Sequence, residues 1–521
     1  MPTSFDCSAD HKVRRVFKAQ SRRIVTSRFR LCVTIFAAIS FVTSPAIGQS
    51  GQTSTAASAS AKISRTQLQQ DFMILRKALE EGHAGLYRYT SKRDMDAAFD
   101  HALEAIDRDM TNAEFYAIVT TLLDAIKCGH TQFVLPKESK AYLQETGRQI
   151  PLKLRFISGK AYVVASTDRQ IVTGSELLSI NGKPIGGIAK AILRHLPGDG
   201  EIETGKYRAL SAQFSWYYFL FVERPDSFAI EYLDSSGQKR KTTLAALTAK
   251  DTQAVLDKSN PVPAESVDKP WRYELMSSVP RAARLKVETF APPDEGIDGQ
   301  TFAQFLESSF KKVEDDKIED LIIDLRGNDG GEDYGPLLYS YIAEGDFEVY
   351  ASVDASAEKL PLISQYSKIN ADFQTKFENQ LGPSAGGRYE ITTKSEYFLP
   401  TQQPRPMNYR KRVWVLTDGE VFSTGTVFCS LAKSHKRGIF VGEETGGAYQ
   451  GFNAGDLVVI TLPASQLRAV IPLLRFTIAT GEVPYPRRGI LPDHPVIPSI
   501  KDALGGVDSE LDFALKLIGR K

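Results

Sequence analysis

Two short stretches of the chain hold residue types able to carry acyl-transfer chemistry. One is LTDGEVFST, which ends in Ser423 and Thr424; the other is DLRGNDGG, which contains Gly330 and Gly331. A serine hydroxyl becomes a nucleophile once a base takes its proton. At a helix N-terminus, unpaired backbone N–H groups and the helix dipole stabilise the negative charge such an attack creates. Ser423 stands where an apolar strand, KRVWVLTD, turns into an amphipathic helix that stops at Gly438. The N–H of Thr424 is then one oxyanion donor. Gly330 and Gly331, with no Cβ in the way, can bring a second backbone N–H to the same place. Each stretch also has an ordinary structural reading. Serine is among the commonest N-caps, and GNDGG suits a plain strand-to-helix turn. No Lys-Ser/Thr follows the glycines, which excludes a P-loop, and FSTGT is not G-x-S-x-G. The local pattern leaves cap and nucleophile open.

Both stretches follow apolar strands, and in open α/β sheets sites form beyond the C-terminal ends of strands. Over 271–521 strand and helix alternate: RLKVETF, a helix marked by Phe302, Phe305, Leu306 and Phe310, then DLIIDL, KRVWVLTD and GIFVG. A β pair, DLVVITLP with AVIPLLRFT, and a closing helix, SELDFALKLI, complete an α/β domain. A Pro-rich connector, 251–270, precedes it. Residues 150–250 read as a small mixed domain of short strands (PLKLRFI, AYVVAS, ELLSING), a helix over Ile185–Leu196 and a hairpin around DSSG. Residues 63–149 are helical. Leu68, Phe72, Leu75 and Leu79 form one stripe, Met95, Phe99, Leu103 and Ile106 a second, and a Thr111–Glu114 capping box opens the third helix. Gly129 in KCGH suits the left-handed position that ends it, which places His130 just beyond a helix end, before the strand TQFVLP.

Composition narrows the function classes. The 521 residues exceed one ordinary core. Residues 1–48 carry a charge of +6 against +1 for the whole, so the remainder is −5, giving no reason to expect a nucleic-acid partner. That leader has a basic start, the apolar run Leu31–Val42 and small residues at Ala46 and Gly48, and reads as an export signal rather than a membrane span. The expectation is an exported protein, periplasmic or secreted, with no stable membrane insertion. Residues 49–62 are small and polar and read as a linker. Past the leader only Cys128 and Cys429 remain, as one disulfide or two buried thiols. Cys128-x-His130 is too little for a zinc site, and no metal or organic cofactor is implied.

LIIDLRGNDGG, VWVLTDGEVFSTGTVFCSLAK, FVGEETGG and GILPD occur in the order seen in C-terminal processing (tail-specific) peptidases and the tricorn core protease, and from about Ile63 to Ile518 the chain resembles that family. The resemblance implies a crotonase-like ββα sheet in the catalytic domain. It also implies a serine peptidase acting on protein or peptide substrates, with Ser423 as nucleophile. GSELLSINGKPI resembles the second half of a PDZ domain, degenerate here because no Gly-Leu-Gly-Phe loop precedes it. In the tail-specific branch a lysine 25 residues after the serine is the base; here that position is Ala448. The tricorn branch takes a histidine from a segment before the PDZ, and CGHTQF matches that place, making His130 the expected base. Tricorn's glutamate before G-V/I-x-P-D is replaced here by Pro486, Arg487 and Arg488. Glu444 is then the first candidate for the acid orienting His130 and Glu482 the second. If His130 reaches Ser423, Cys128 and Cys429 also come close enough to suggest pairing. His83 reads as a helix-end packing residue and His494 as a surface one. His435 lies three helical turns from Ser423, roughly 18 Å, too far to be its base. A non-catalytic peptide- or ligand-binding protein on the same fold, and an esterase using the same serine, are the alternatives.

Overall fold

The computed structural model describes residues 60–259, 269–292, 296–297, 299–392 and 399–520. The expected export signal, nearly all of the 49–62 linker and the Pro-rich part of the connector lie outside the described residues. Among the described residues no helix is long and apolar enough to cross a membrane.

The N-terminal helices follow their stripes and caps. Arg65–Gly82 starts with a capping box between Ser64 and Gln67 and buries Leu68, Phe72, Leu75 and Leu79; Lys92–Glu104 is capped by Ser91 and buries Met95 and Phe99. The Thr111–Glu114 capping box forms. The helix it opens divides into Asn112–Thr120 and Leu122–Ile126. At the junction the hydroxyls of Thr120 and Thr121 bond back to the carbonyls of Tyr116 and Ile118, competition of the kind that interrupts helices at threonine. The left-handed residue that ends this segment is Lys127 (φ 53°), not Gly129. Glycine is needed at 129 for space: a Cβ there would lie 2.5 Å from Cζ of Phe422.

Two sheets make the C-terminal part. The first runs Trp271–Leu275, Ala282–Val287, Asp320–Asp324, Arg412–Thr417, Ile439–Gly442 and His494–Pro495; its first pair is antiparallel and the rest parallel. Asp320–Asp324 is buried at every position, as a parallel strand covered on both faces must be. The second is antiparallel around Arg468–Ile478, which pairs with Asn453–Thr461 and Tyr350–Ala355. Arg468–Ile478 also takes a strand from far away: Gln132–Val134, directly after His130, pairs with it in the register Gln132↔Val470 to Val134↔Arg468. One apolar core accordingly runs from Leu68 and Phe72 of the first helix through Ile323 and Val415 to Leu473. The helical region is therefore packed into one body with the two sheets.

Residues 150–246 keep a core of their own, with Leu152, Ile180, Phe214 and Phe228 at its centre. Arg148–Gln149 pairs antiparallel with Leu247–Thr248, so the chain comes into this module and leaves it at one place. Within it the helix Thr204–Phe221 packs on the strand Leu152–Ile157 and is kinked at Gln213. The sequence reading lacked this helix, because its aromatic-rich end, FSWYYFLF, has strand-like composition.

Cys128 and Cys429 are not joined. Both are buried free thiols, and Cys128 Sγ lies 3.8 Å from the carbonyl of Asn453. Burial pushes both thiols above their ordinary range, the direction that suppresses the reactive thiolate. A soluble aromatic disulfide reagent at pH 8 should modify neither in the native protein and both after unfolding in guanidinium. Release of both thiols from the native fold would contradict this packing.

Candidate active site

The register of the parallel sheet brings the two glycine- and serine-bearing turns together. Asp320–Asp324 and Arg412–Thr417 run side by side, Asp324 opposite Leu416, and the Leu325 N–H donates to the Leu416 carbonyl just past their ends (3.1 Å). Asn328, fully buried, then ties the turns to each other. Its carbonyl accepts from Phe422 N–H (3.0 Å), its Nδ2 donates to the Val287 carbonyl (3.0 Å), and its Oδ1 accepts from Gly330 N–H (2.9 Å).

Ser423 precedes the helix Thr424–Ser434 but does not cap it: its side chain makes no capping bond, and its backbone sits at φ 51°, ψ −124°. A capping serine takes extended φ/ψ. A non-glycine residue held at positive φ with such a ψ costs about 1–3 kcal/mol and is found where the surrounding structure enforces it. The turn thus spends its strain on presenting the Ser423 hydroxyl rather than on closing the helix.

His130 arrives from the opposite end of the chain. On its N-terminal side Gly129 passes against the Phe422 ring; on its C-terminal side the strand Gln132–Val134 is locked into the second sheet. Between them Thr131, wholly buried, bonds through Oγ1 to His83 Nε2 (2.7 Å). Since His83 Nδ1 accepts the Gly85 N–H, Nε2 carries the proton and donates to Thr131. His83 is thus the packing residue expected, and its partner lies next to His130. The outcome is a distance of 3.2 Å between His130 Nε2 and Ser423 Oγ, across 293 residues of sequence.

The imidazole is half-buried between aromatic rings, Phe422 at 4.6 Å and Phe452 at 5.5 Å between centroids. Loss of water around it lowers its pKa to about 4, so the ring is neutral at pH 7. With Nε2 accepting from the serine hydroxyl, the ring proton is on Nδ1, which is buried and has no hydrogen-bond partner among the described residues.

Gly330 approaches Ser423 closely. At φ 98° a Cβ on it would lie 2.7 Å from Ser423 Cβ and 3.2 Å from Thr424 N. Gly330→Ala should therefore displace the serine turn and lower kcat/KM by roughly 10²–10³-fold, the size of losing one oxyanion donor; steady-state kinetics on a peptide substrate check this. Gly330 N–H is committed to Asn328, whereas the N–H groups of Gly331 and Thr424 form no hydrogen bond among the described residues.

The structure does not bring Glu444 to His130. Its carboxylate is gripped by Arg488 through Nε (2.8 Å) and Nη2 (2.6 Å) and also accepts Gly489 N–H (2.8 Å). A bidentate guanidinium and a backbone amide occupy the lone pairs an imidazole would use. Glu482 is exposed. Ala448 is buried, bridging to Gly489. His435 caps its helix, and the His494 ring lies tilted against that of Phe513. Sequence reasoning missed Asn328 and Phe422. Their only local signals are an Asn inside the glycine turn and an aromatic directly before the serine, and their roles depend on contacts between distant segments.

Residues 281–494 match the family model described as peptidase family S41. Among solved structures the fold resembles mature CPAF, at a TM-score of 0.60 and 14% identity over 87% of this chain and 97% of that one. Mature CPAF complexed with lactacystin matches at the same TM-score and identity, over 87% of this chain and 98% of that one. The photosystem II D1 C-terminal processing protease aligns at a TM-score of 0.40 and 14% identity, over 87% of this chain and 97% of that one. The matched segment contains Ser423 and both glycines of the turn beside it, and over these residues the chain carries the fold and sequence of a serine-type peptidase of family S41.

Proposed function

We propose that the protein is an exported serine endopeptidase working through a Ser423–His130 dyad. The observation that carries this is the 3.2 Å approach of His130 Nε2 to a serine whose hydroxyl is free of any capping bond. His130 takes the Ser423 proton as Oγ attacks the peptide carbonyl, then gives it to the leaving amine; water repeats the sequence on the acyl-enzyme. The tetrahedral oxyanion is held by the N–H of Thr424, at the start of the helix, and by an N–H of the Gly330–Gly331 turn. Gly331 is the stronger candidate, because Gly330 already donates to Asn328. Glu444 serves by binding Arg488 and Gly489, which fixes the turn after residue 486 where a tricorn-like peptidase would carry its acid. The separately packed module of residues 150–246 is a degenerate PDZ-like domain on a crotonase-like catalytic body. The basic and apolar leader supports export, with removal before Gln49.

A fluorophosphonate probe and casein hydrolysis, applied to the wild type, Ser423→Ala and His130→Ala, test the reading. Labelling and hydrolysis confined to the wild type are expected. Equal labelling of all three, or none, would overturn the dyad. Turnover of simple esters with no casein cleavage would make the substrate class, rather than the nucleophile, the point in error.

A further inference from the structure

An acidic residue outside every motif discussed so far lies behind the histidine. Asp199, 1% exposed, sits in the loop LPGDGE between the helices Ile185–Leu193 and Thr204–Phe221. One carboxylate oxygen accepts the N–H of Gly129, next to His130, at 2.8 Å. The backbone N–H of Ala448, in the turn that lacks the tail-specific lysine, lies on the side of this carboxylate that favours its charged form. The other oxygen, Oδ2, is buried with no hydrogen-bond partner among the described residues. The neighbouring loop residues form a bracket around the same point. Gly200 N–H donates to the Lys127 carbonyl (3.1 Å) and Glu201 N–H to the Arg487 carbonyl (2.8 Å). The Glu201 carboxylate pairs with Lys127 (3.0 Å) and Arg487 (2.6 Å).

We propose that Asp199 is a positioning residue for the catalytic dyad: its buried carboxylate holds the Gly129 amide and so aims His130 at Ser423. This rests on the Ser423–His130 reading. It places the support of the histidine in the inserted module, through the backbone rather than through a carboxylate on Nδ1. A buried carboxylate with one oxygen unpartnered is expensive to keep. In a loop otherwise held by backbone bonds and exposed ion pairs, the return on that cost is a charge-assisted grip on the segment that carries the base.

The arrangement also predicts which group sets the acid limb of the activity. Burial raises the Asp199 pKa to about 6, opposed by the Gly129 N–H, the Arg88 guanidinium and the Ala448 N–H. The Tyr89 hydroxyl and the Cys128 thiol face it as well, and Lys127, Glu201 and Arg487 complete the charged groups of the bracket. Below pH 6 the carboxylate takes a proton, one oxygen becomes a donor, and its hold on the Gly129 N–H weakens before His130, near 4, is protonated. Activity should therefore fall with Asp199, not with His130.

The test compares kcat/KM from pH 4 to 9 for wild type, Asp199→Asn and Asp199→Ala, with Ser423→Ala and His130→Ala alongside and Tm recorded for each. Asp199→Ala should lose about 10²-fold in kcat/KM, the scale of a displaced catalytic group. Asp199→Asn keeps an acceptor for Gly129 and should lose less. Its acid limb should move from near pH 6 down toward pH 4, with a Tm at pH 8 no lower than wild type because a buried charge is gone. An Asn variant with the wild-type acid limb, or an Ala variant with full kcat/KM, overturns the positioning role. If Ser423→Ala or His130→Ala keeps wild-type activity, the dyad itself is what fails.

Discussion

Ser423→Ala is expected to lower kcat/KM by on the order of 10⁴–10⁶-fold while leaving the fold intact. The upper figure is about what loss of the nucleophile costs in a well-built serine peptidase, and the lower allows for a less efficient starting enzyme; oxyanion donors and substrate binding still leave some catalysis over water. Stability gives an independent readout, because Ser423 sits at φ 51°, ψ −124° with no capping bond to lose. Alanine keeps a Cβ and so keeps the strain; glycine removes it. Ser423→Gly should be as inactive as Ser423→Ala but more stable than either Ser423→Ala or wild type by about 1–3 kcal/mol. Denaturant unfolding of the three proteins, beside casein hydrolysis, decides it. A glycine variant less stable than wild type would mean that the serine turn is relaxed and that its conformation serves the helix.

The second large effect is at His130. His130→Ala should cost on the order of 10³–10⁵-fold in kcat/KM at pH 7.5, because among the described residues His130 is the one base hydrogen-bonded to the Ser423 hydroxyl. The same variant should alter acid stability. The folded pKa of His130 is about 4, below the ordinary value of 6.5. A depressed pKa contributes stability that is present above pH 6.5 and is lost as pH falls through 4. Removing the imidazole removes that loss, so on going from pH 7 to pH 4 His130→Ala should lose less stability than wild type, by at most about 3 kcal/mol. His83 and His195 are also buried with lowered pKa values, about 3 and about 4, and keep their share of the acid sensitivity in both proteins. Urea unfolding at the two pH values measures the difference. Equal losses would mean that His130 titrates as an exposed histidine, at odds with its seat between Phe422 and Phe452.

What could be read from the sequence depended on how local the determining contacts are. The strands Asp320–Asp324 and Arg412–Thr417 were legible because burial on both faces writes an unbroken apolar run. The capped N-terminal helices were legible because cap and stripe lie within a few residues of each other. Ser423 was legible as a serine at a helix start, but the difference between cap and nucleophile is a matter of φ and ψ, which residue type does not report. The assignment of Glu444 as orienting acid failed for a different reason. Its carboxylate is bound by Arg488, 44 residues on, and no spacing rule says which of two possible partners wins a buried acid. Gly129 looked like a left-handed helix end, yet it is small because an aromatic ring from residue 422 passes over it. Asp199 carried no signal, since an Asp between two glycines is ordinary loop chemistry.

The strand Gln132–Val134 has one more consequence, which concerns time rather than space. It finds its hydrogen bonds only when Arg468–Val470 is present, and His130 precedes it directly. During synthesis the histidine is made early and the serine 293 residues later, and the strand that follows the histidine is not paired until the chain has passed Arg468–Val470. Closing so long a loop is among the slower steps of folding. A growing or partly folded chain therefore carries both reactive groups without the means to join them. On the proposed Ser423–His130 dyad, hydrolytic power then waits for the pairing of Gln132–Val134 with Arg468–Val470, which a chain still being made cannot complete.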